Sequence, residues 1–269
     1  MATINAIYVR LAHAVLSAGH NVAHEVTFLS SPKRVRAVID GTVVLDSQCA
    51  GLLLESGSRP FYYFPRADFR AEGLERSAHR TRCPHKGEAS YWNLRLANRR
   101  IENALWGYEA PPGALAPMAT YLALAADKVD HWYEEDEEIF GHPRDPYHRI
   151  DLRARARRVR VAYAGTIVAE TRRALFLFET GLPTRYYIPR DDVRPEFLEP
   201  SDSHSVCPYK GRASYWSLRV GERFVRDAVW SYPDPLPELP RIKAYLCFYP
   251  ERVERIEIDD VSGPPPSGA

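Results

Sequence analysis

The chain has 269 residues, 45% of them hydrophobic, with 36 lysines and arginines against 35 aspartates and glutamates and a formal net charge of +1. So even a balance gives no broad field for nucleic acid or an anionic membrane, and no segment approaches the roughly 20 apolar residues a membrane span requires. Four cysteines, Cys49, Cys83, Cys207 and Cys247, form no C-x-x-C pair, which argues against a zinc site and a disulfide framework and for a reducing, cytoplasmic compartment.

Taken in chain order, residues 1–32 read as an N-terminal extension. Its apolar run, INAIYVRLAHAVLSAG, is broken by Arg10 and His13 and lacks the cationic start of a secretory signal. To about residue 30 the pattern suits one short amphipathic helix, able to cap a sheet or join copies of the chain into a homo-oligomer. RVRAVID and GTVVLDS then alternate about Asp40-Gly41, a strong hairpin signal. The stretch from Arg66 to Cys83 reads as an irregular loop with at most a short helical turn. ASYWNLRLANRRIENALWGY resumes the strand pattern, with a turn expected near Asn98 and Arg99. The run EEDEE, Glu134–Glu138, with GHPRDPYHR after it, is a charged, proline-containing linker.

The chain then repeats itself. CPHKGEASYWNLR at Cys83 returns as CPYKGRASYWSLR at Cys207, identical at ten of thirteen positions and shifted by 207 − 83 = 124 residues. The same shift carries Gly41 onto Gly165, Glu55 onto Glu179, Tyr62-Tyr63 onto Tyr186-Tyr187, Trp106 onto Trp230 and Tyr121 onto Tyr245, with no gap from about Val35 to Val253. Both halves therefore share one fold. In the second half AYLCFY is stopped by Pro250 and VERIEID resumes alternation, which reads as a third hairpin; by symmetry YLALAADKVDHWY of the first half is the same hairpin, although its alanines alone suggest a helix. The expected division is an extension (1–32), a first β domain (33–133), a linker (134–150), a second β domain (151–258) and a disordered tail (259–269).

YYFPRADFR and YYIPRDDVR, the two CPxKGxASYW motifs, the Trp106 and Trp230 strands and the linker WYEEDEEIFGHPRDPYHR together resemble the family designated domain of unknown function 427, in its two-copy form. The resemblance covers roughly residues 33 to 255. It implies a mainly β, antiparallel fold of the Mss4-like or β-tent type and brings no known function. A nucleotidyltransferase label attached to that family has no support in this sequence, which contains no phosphate-binding G-x-x-x-x-G-K-[ST] loop. The first copy departs from the pattern with His85, Gly107 and Glu109-Ala110 where the second has Tyr209, Ser231 and Pro233-Asp234.

Within the motif, proline and glycine make Cys83–Gly87 a tight corner that feeds a strand and aims Lys86, like Lys210, at a fixed place. Such a lysine is suited to bind an anion or move a proton, and equally to pair with Glu55 or Glu179 as a structural turn residue. Cys83 and Cys207 have a lysine three residues on, but the repeats share no histidine to act as a base: His79 falls opposite Ser203 and His85 opposite Tyr209. Tyr91 and Trp92 face opposite sides of a strand, as do Tyr215 and Trp216, whereas Trp106 and Tyr108 share a side; one such side suits an aromatic pocket with Tyr62 or Tyr63, the other a core. Arg66 with Asp68, and Arg190 with Asp192, suit either an ion pair or a grip on an acidic substrate. His142, Asp145 and His148 of the linker have no recognised metal spacing, and no cofactor is expected.

Two functional readings, with a third beside them, follow from these residues. The leading one is a metal-independent small-molecule enzyme of isomerase, cyclase or lyase type. In it Lys86 or Lys210, set by Glu55 or Glu179, and a tyrosine acid, Tyr91 or Tyr215, act in a pocket lined by Tyr62, Tyr186, Arg66, Arg190, Trp92, Trp216, Trp106 and Trp230. The alternatives are a non-catalytic module binding a metabolite or a peptide, and a structural interaction protein. A small metabolite is the expected partner, not nucleic acid or membrane.

Overall fold

At Asp40 and Gly41 the chain takes φ of 50° and 70°, and at Ala164 and Gly165 it does the same at 49° and 72°. Two consecutive left-handed residues make the turn whose twist matches paired strands, so each copy of the repeat contains the hairpin expected. The computed structural model describes residues 24–70, 73–97 and 99–259 and divides the chain into two units at Pro146 and Tyr147. Among these residues the structure is mainly β, antiparallel throughout, with short 3-10 segments as the helical parts. No described helix is long and apolar enough to cross a membrane.

The first unit contains β1 (Val26–Ser30), β2 (Val35–Ile39), β3 (Thr42–Ser47), β4 (Gly51–Glu55), β5 (Phe61–Pro65), β6 (Gly73–Cys83), β7 (Gly87–Arg95), β8 (Arg100–Tyr108), β9 (Tyr121–Leu124), β10 (His131–Glu134) and β11 (Glu137–Ile139). Its large sheet has the order β1-β4-β5-β9-β8-β7-β6 and its small sheet the order β11-β10-β2-β3. The second unit follows with β12 (Ile150–Ala154), β13 (Val159–Tyr163), β14 (Thr166–Thr171), β15 (Leu175–Glu179), β16 (Arg185–Pro189), β17 (Leu198–Cys207), β18 (Gly211–Val220), β19 (Arg223–Ser231), β20 (Tyr245–Phe248) and β21 (Arg255–Ile258). Its sheets run β12-β15-β16-β20-β19-β18-β17 and β14-β13-β21, which among the described residues is the order of the first unit apart from β11.

In each unit one face of the large sheet packs on the small sheet. Tyr62, Phe64, Trp92 and Leu105 thereby meet Val35, Ala37 and Leu45, all buried. The other face carries a second apolar layer: Leu53, Tyr63, Tyr108 and Met118 in the first unit, Leu177, Tyr187, Trp230 and Ile242 in the second. Coverage on both sides explains why Leu52-Leu53 of β4 and Leu175–Leu177 of β15 are continuous apolar runs instead of alternating ones, whereas Phe178 stands exposed.

Several expectations are corrected. The segment read as a helix to residue 30 ends in a strand, since β1 pairs along β4 from Val26↔Glu55 to Ser30↔Gly51, and β12 pairs along β15 in the same way. The first domain thus begins ahead of residue 33; residues 1–23, which carry the rest of the expected helix, and the tail 260–269 lie outside the described residues. The loop expected from Arg66 to Cys83 is the long edge strand β6, and β17 takes the same place before Cys207; neither has a buried side chain, so no apolar alternation marks them. The third hairpin does not form: β20 pairs with β16 and β19 while β21 joins β13 in the other sheet, and β9 and β10 part likewise. Both edges of β20 are taken by neighbours, so the chain after Pro250 has to cross layers. Finally, β11 continues the small sheet into the segment read as linker.

Gly107 has a physical reason to differ from Ser231. A Cβ at Gly107 would meet the Tyr121 carbonyl oxygen at 2.7 Å and Leu122 Cδ2 at 2.8 Å. Gly107→Ser, which installs the second copy's residue, therefore pushes β9 off β8 and should destabilise the protein by about 1–3 kcal/mol, measured by urea unfolding against Ser231→Gly as the reciprocal change.

Candidate functional site

Glu55 and Glu179 are the last residues of β4 and β15, where the apolar run ends and a charge is carried to the rim of the large sheet. Lys86 and Lys210 stand in the corner between β6 and β7, or β17 and β18. Gly87 and Gly211, at φ 90° and 104°, provide the left-handed residue that turns the chain there, and the Lys210 amide closes the turn on the Cys207 carbonyl at 3.2 Å. Both lysines are buried, at 7% and 6% exposure. Lys86 Nζ donates to Glu55 Oε2, and Lys210 Nζ donates to Glu179 Oε1 and Oε2 at 2.7 and 2.6 Å.

A third residue completes each group, and sequence reading missed it. His24 Nε2 lies 3.1 Å from Glu55 Oε1, and His148 Nε2 lies 2.9 Å from Glu179 Oε1. Each histidine stands two residues ahead of the strand that pairs along its glutamate, β1 or β12. The His24 ring stacks on His85 at 3.7 Å between centroids, and the His148 ring on Tyr209 at 4.3 Å. The absence of a shared histidine is thus a misreading. The 124-residue shift carries His24 onto His148, but among HEVTFLS and HRIDLRA the histidine is the sole identity, so the sequence there gives no sign of the repeat. It also removes His148 from the linker set with His142 and Asp145.

Burial works against ionisation of Glu179, yet the His148 hydrogen bond and the Lys210 charge outweigh it and hold the carboxyl below its ordinary 4.5. Glu55 is lowered in the same way, against burial, by Lys86 and then His24. Around the pair stand tyrosines whose hydroxyls keep their protons, because burial raises Tyr63, Tyr108 and Tyr187 well above the ordinary 10. Trp106 Nε1 donates to Tyr63 Oη at 3.1 Å, and Lys86 Nζ lies 5.9 Å from the Tyr108 ring centroid. Lys210 Nζ is 3.8 Å from Cys207 Sγ.

The expected residues divide between two faces. Glu55, Lys86 and Trp106, with Glu179, Lys210 and Trp230, share the second apolar layer with Tyr63 and Tyr187. Tyr91 and Tyr215 lie on that side too, opposite Trp106 and Trp230 across the strand pair, but their hydroxyls bond Thr81 at 2.9 Å and Ser205 at 2.6 Å. Tyr62, Trp92, Tyr186 and Trp216 belong to the core against the small sheet, because neighbours on a strand point to opposite faces. Tyr62 donates to Glu134 at 2.8 Å, and Arg66 and Arg190 cover Trp92 and Trp216 at 5.5 and 5.4 Å. Those arginines do not pair with the nearby aspartates: Asp68 accepts from Ser47 at 2.5 Å, and Asp192 takes Thr171 and Arg173. Among the described residues no cluster of three or more histidine, cysteine or acidic side chains is arranged to hold a metal.

The family model of a domain of unknown function, DUF427, matches the chain twice, at residues 27–135 and 151–259. His24 and His148 both fall three residues ahead of the matched segments. No curated protein matches the chain.

Two consequences are measurable. Lys210 and Glu179 keep 8% and 5% of their side chains exposed, so Lys210→Met strands a buried carboxylate and should cost about 3–5 kcal/mol in urea unfolding, most of it recovered by Lys210→Met with Glu179→Leu. A carboxyl lowered in the fold adds stability that is complete above its ordinary 4.5 and lost as pH falls through the lower folded value. Melting temperature should therefore drop as pH falls below 4.5, and Glu179→Gln should flatten that drop.

Proposed function

We propose that this chain, which belongs to the DUF427 family in two tandem copies, is an acid–base enzyme acting on a small metabolite, of isomerase, cyclase or lyase type. The observation that carries the reading is the His–Glu–Lys group, with its lysine buried and its histidine at the rim, at a 31-residue spacing, 24-55-86 and again 148-179-210. A core needs neither a buried lysine nor a histidine at its rim, and two copies that diverge at surrounding positions keep both.

In this reading Glu55 or Glu179 fixes the imidazole through Nε2 and leaves Nδ1 as the nitrogen that takes a proton from substrate and returns it. Stacking on His85 or Tyr209 sets the ring plane. The lysine ammonium, already desolvated, stabilises negative charge that develops on substrate oxygen. The protonated hydroxyl of Tyr108 lines the same face as a donor. The fold is of the β-tent type implied by the resemblance, and four unpaired thiols favour a reducing, cytoplasmic setting. A structural role competes with catalysis, supported by the fact that each ammonium already meets its carboxylate inside the protein.

The test is incubation of the full chain with carboxylated, phosphorylated and aromatic metabolites in D2O, read by mass spectrometry and NMR. Solvent deuterium should enter one class of compound, and His24→Gln with His148→Gln should abolish its entry while circular dichroism stays unchanged. Compounds that raise the melting temperature yet never exchange or react would replace catalysis with binding. A chain that neither binds nor converts any member would leave the ion pairs as structural.

A further inference from the structure

The two copies differ at one wall of this site. In the first unit Phe61 sets its ring edge-on to Trp106 at 6.0 Å between centroids and is 40% exposed. The 124-residue shift puts Arg185 in its place. The Arg185 guanidinium lies 5.6 Å from the Trp230 ring and 5.9 Å from Tyr249, a ring for which the first unit has Ala125. Trp230 and Tyr249 approach to 4.3 Å, so one cation faces two adjoining rings.

This arginine is under-used by the protein. Glu251 Oε1 is 4.0 Å from Nη2, the limit of an ion pair, and Nη1 is buried with no acceptor. A buried N–H donor without an acceptor costs free energy that an added oxygen removes. The guanidinium fork presents paired donors matched to a carboxylate or phosphate, whereas the phenyl ring of Phe61 offers an anion nothing. Arg185 and Tyr187 lie two apart on β16 and so share the face that carries Trp230 and Lys210. Both cations also act on the buried Cys247 thiol, which burial pushes up to about 12 against their pull.

We infer that the second unit's site takes an aromatic oxyanion, its carboxylate or phosphate on Arg185 and its ring against Trp230 and Tyr249, while the first unit's site, walled by Phe61, takes an uncharged ligand. The inference rests on the reading of the His–Glu–Lys face as a ligand site. Duplication has then given one protein two specificities on one framework, set by Phe61 or Arg185 on β5 or β16 together with Ala125 or Tyr249.

Benzoate, phenyl phosphate and benzyl alcohol are the probes, titrated into the full chain and followed by tryptophan fluorescence and calorimetry. One or both anions should bind saturably, and Arg185→Phe, which borrows the first unit's own residue, should weaken that binding at least tenfold while leaving benzyl alcohol unchanged. Arg185→Gln repeats the test should the phenylalanine variant fold poorly, and Phe61→Arg should add a second anion-binding event. Preference for one anion over the other identifies carboxylate or phosphate. Anions that bind equally well to wild type and Arg185→Phe, or not at all, overturn the inference. Arg185-dependent binding without deuterium exchange leaves it standing and removes the catalytic reading; exchange indifferent to Arg185→Phe does the reverse.

Discussion

A lysine ammonium withdrawn from water has to be met by opposite charge at close range, and most of what is distinctive in each unit serves that requirement. The Cys-Pro-x-Lys-Gly corner fixes where the lysine stands, and the end of the fourth strand of each copy fixes where the glutamate stands. The first strand, laid alongside, brings the histidine to one oxygen of the same carboxylate. None of the three is near another in sequence. Removing any one would leave a desolvated group in want of a partner, so the corner, the strand end and the strand start constrain one another.

The two-sided sheet explains how such a group is kept partly dry. One face of the large sheet is occupied by the small sheet and forms an ordinary core. The other is covered by aromatic side chains and a short 3-10 segment, over which the ion pair sits at the rim. Alternation along a strand assigns adjacent residues to these different environments, so Tyr62 and Tyr63, neighbours in sequence, belong one to the core and one to the site. The units also differ in how closed this rim is: the histidine side chain is 35% exposed in the first and 17% in the second.

Much of this was legible in the sequence, and the limits were physical. The duplication, the β class and the Glu55–Lys86 and Glu179–Lys210 pairs followed from register and from the turn chemistry of proline and glycine. Strand β6 was missed because an edge strand with both faces largely in water carries no apolar alternation to read. The parting of β20 from β21 was missed because a hairpin and a layer crossing look alike over six residues. The histidines were missed because identity between the copies falls away upstream of Val35, where backbone pairing, indifferent to side chain, preserves the arrangement. The division of the aromatic residues could be posed from strand alternation, but which side was core depended on the second layer.

The small sheet draws on both ends of its unit: β2 near the start pairs with β10, His131 lying opposite Val38, and β13 pairs with β21. Neither unit can finish folding until its last strand has been synthesised, and while the chain emerges β2 and β13 present related edges to β10 and β21. Two homologous domains in tandem thus run the hazard of exchanging closing strands, the misassembly characteristic of repeated sequences. The closing strands have diverged where the motif has not, HWYE against RIEI. That divergence gives each closing strand side chains of its own with which to find its partner, although the two pairings are equivalent.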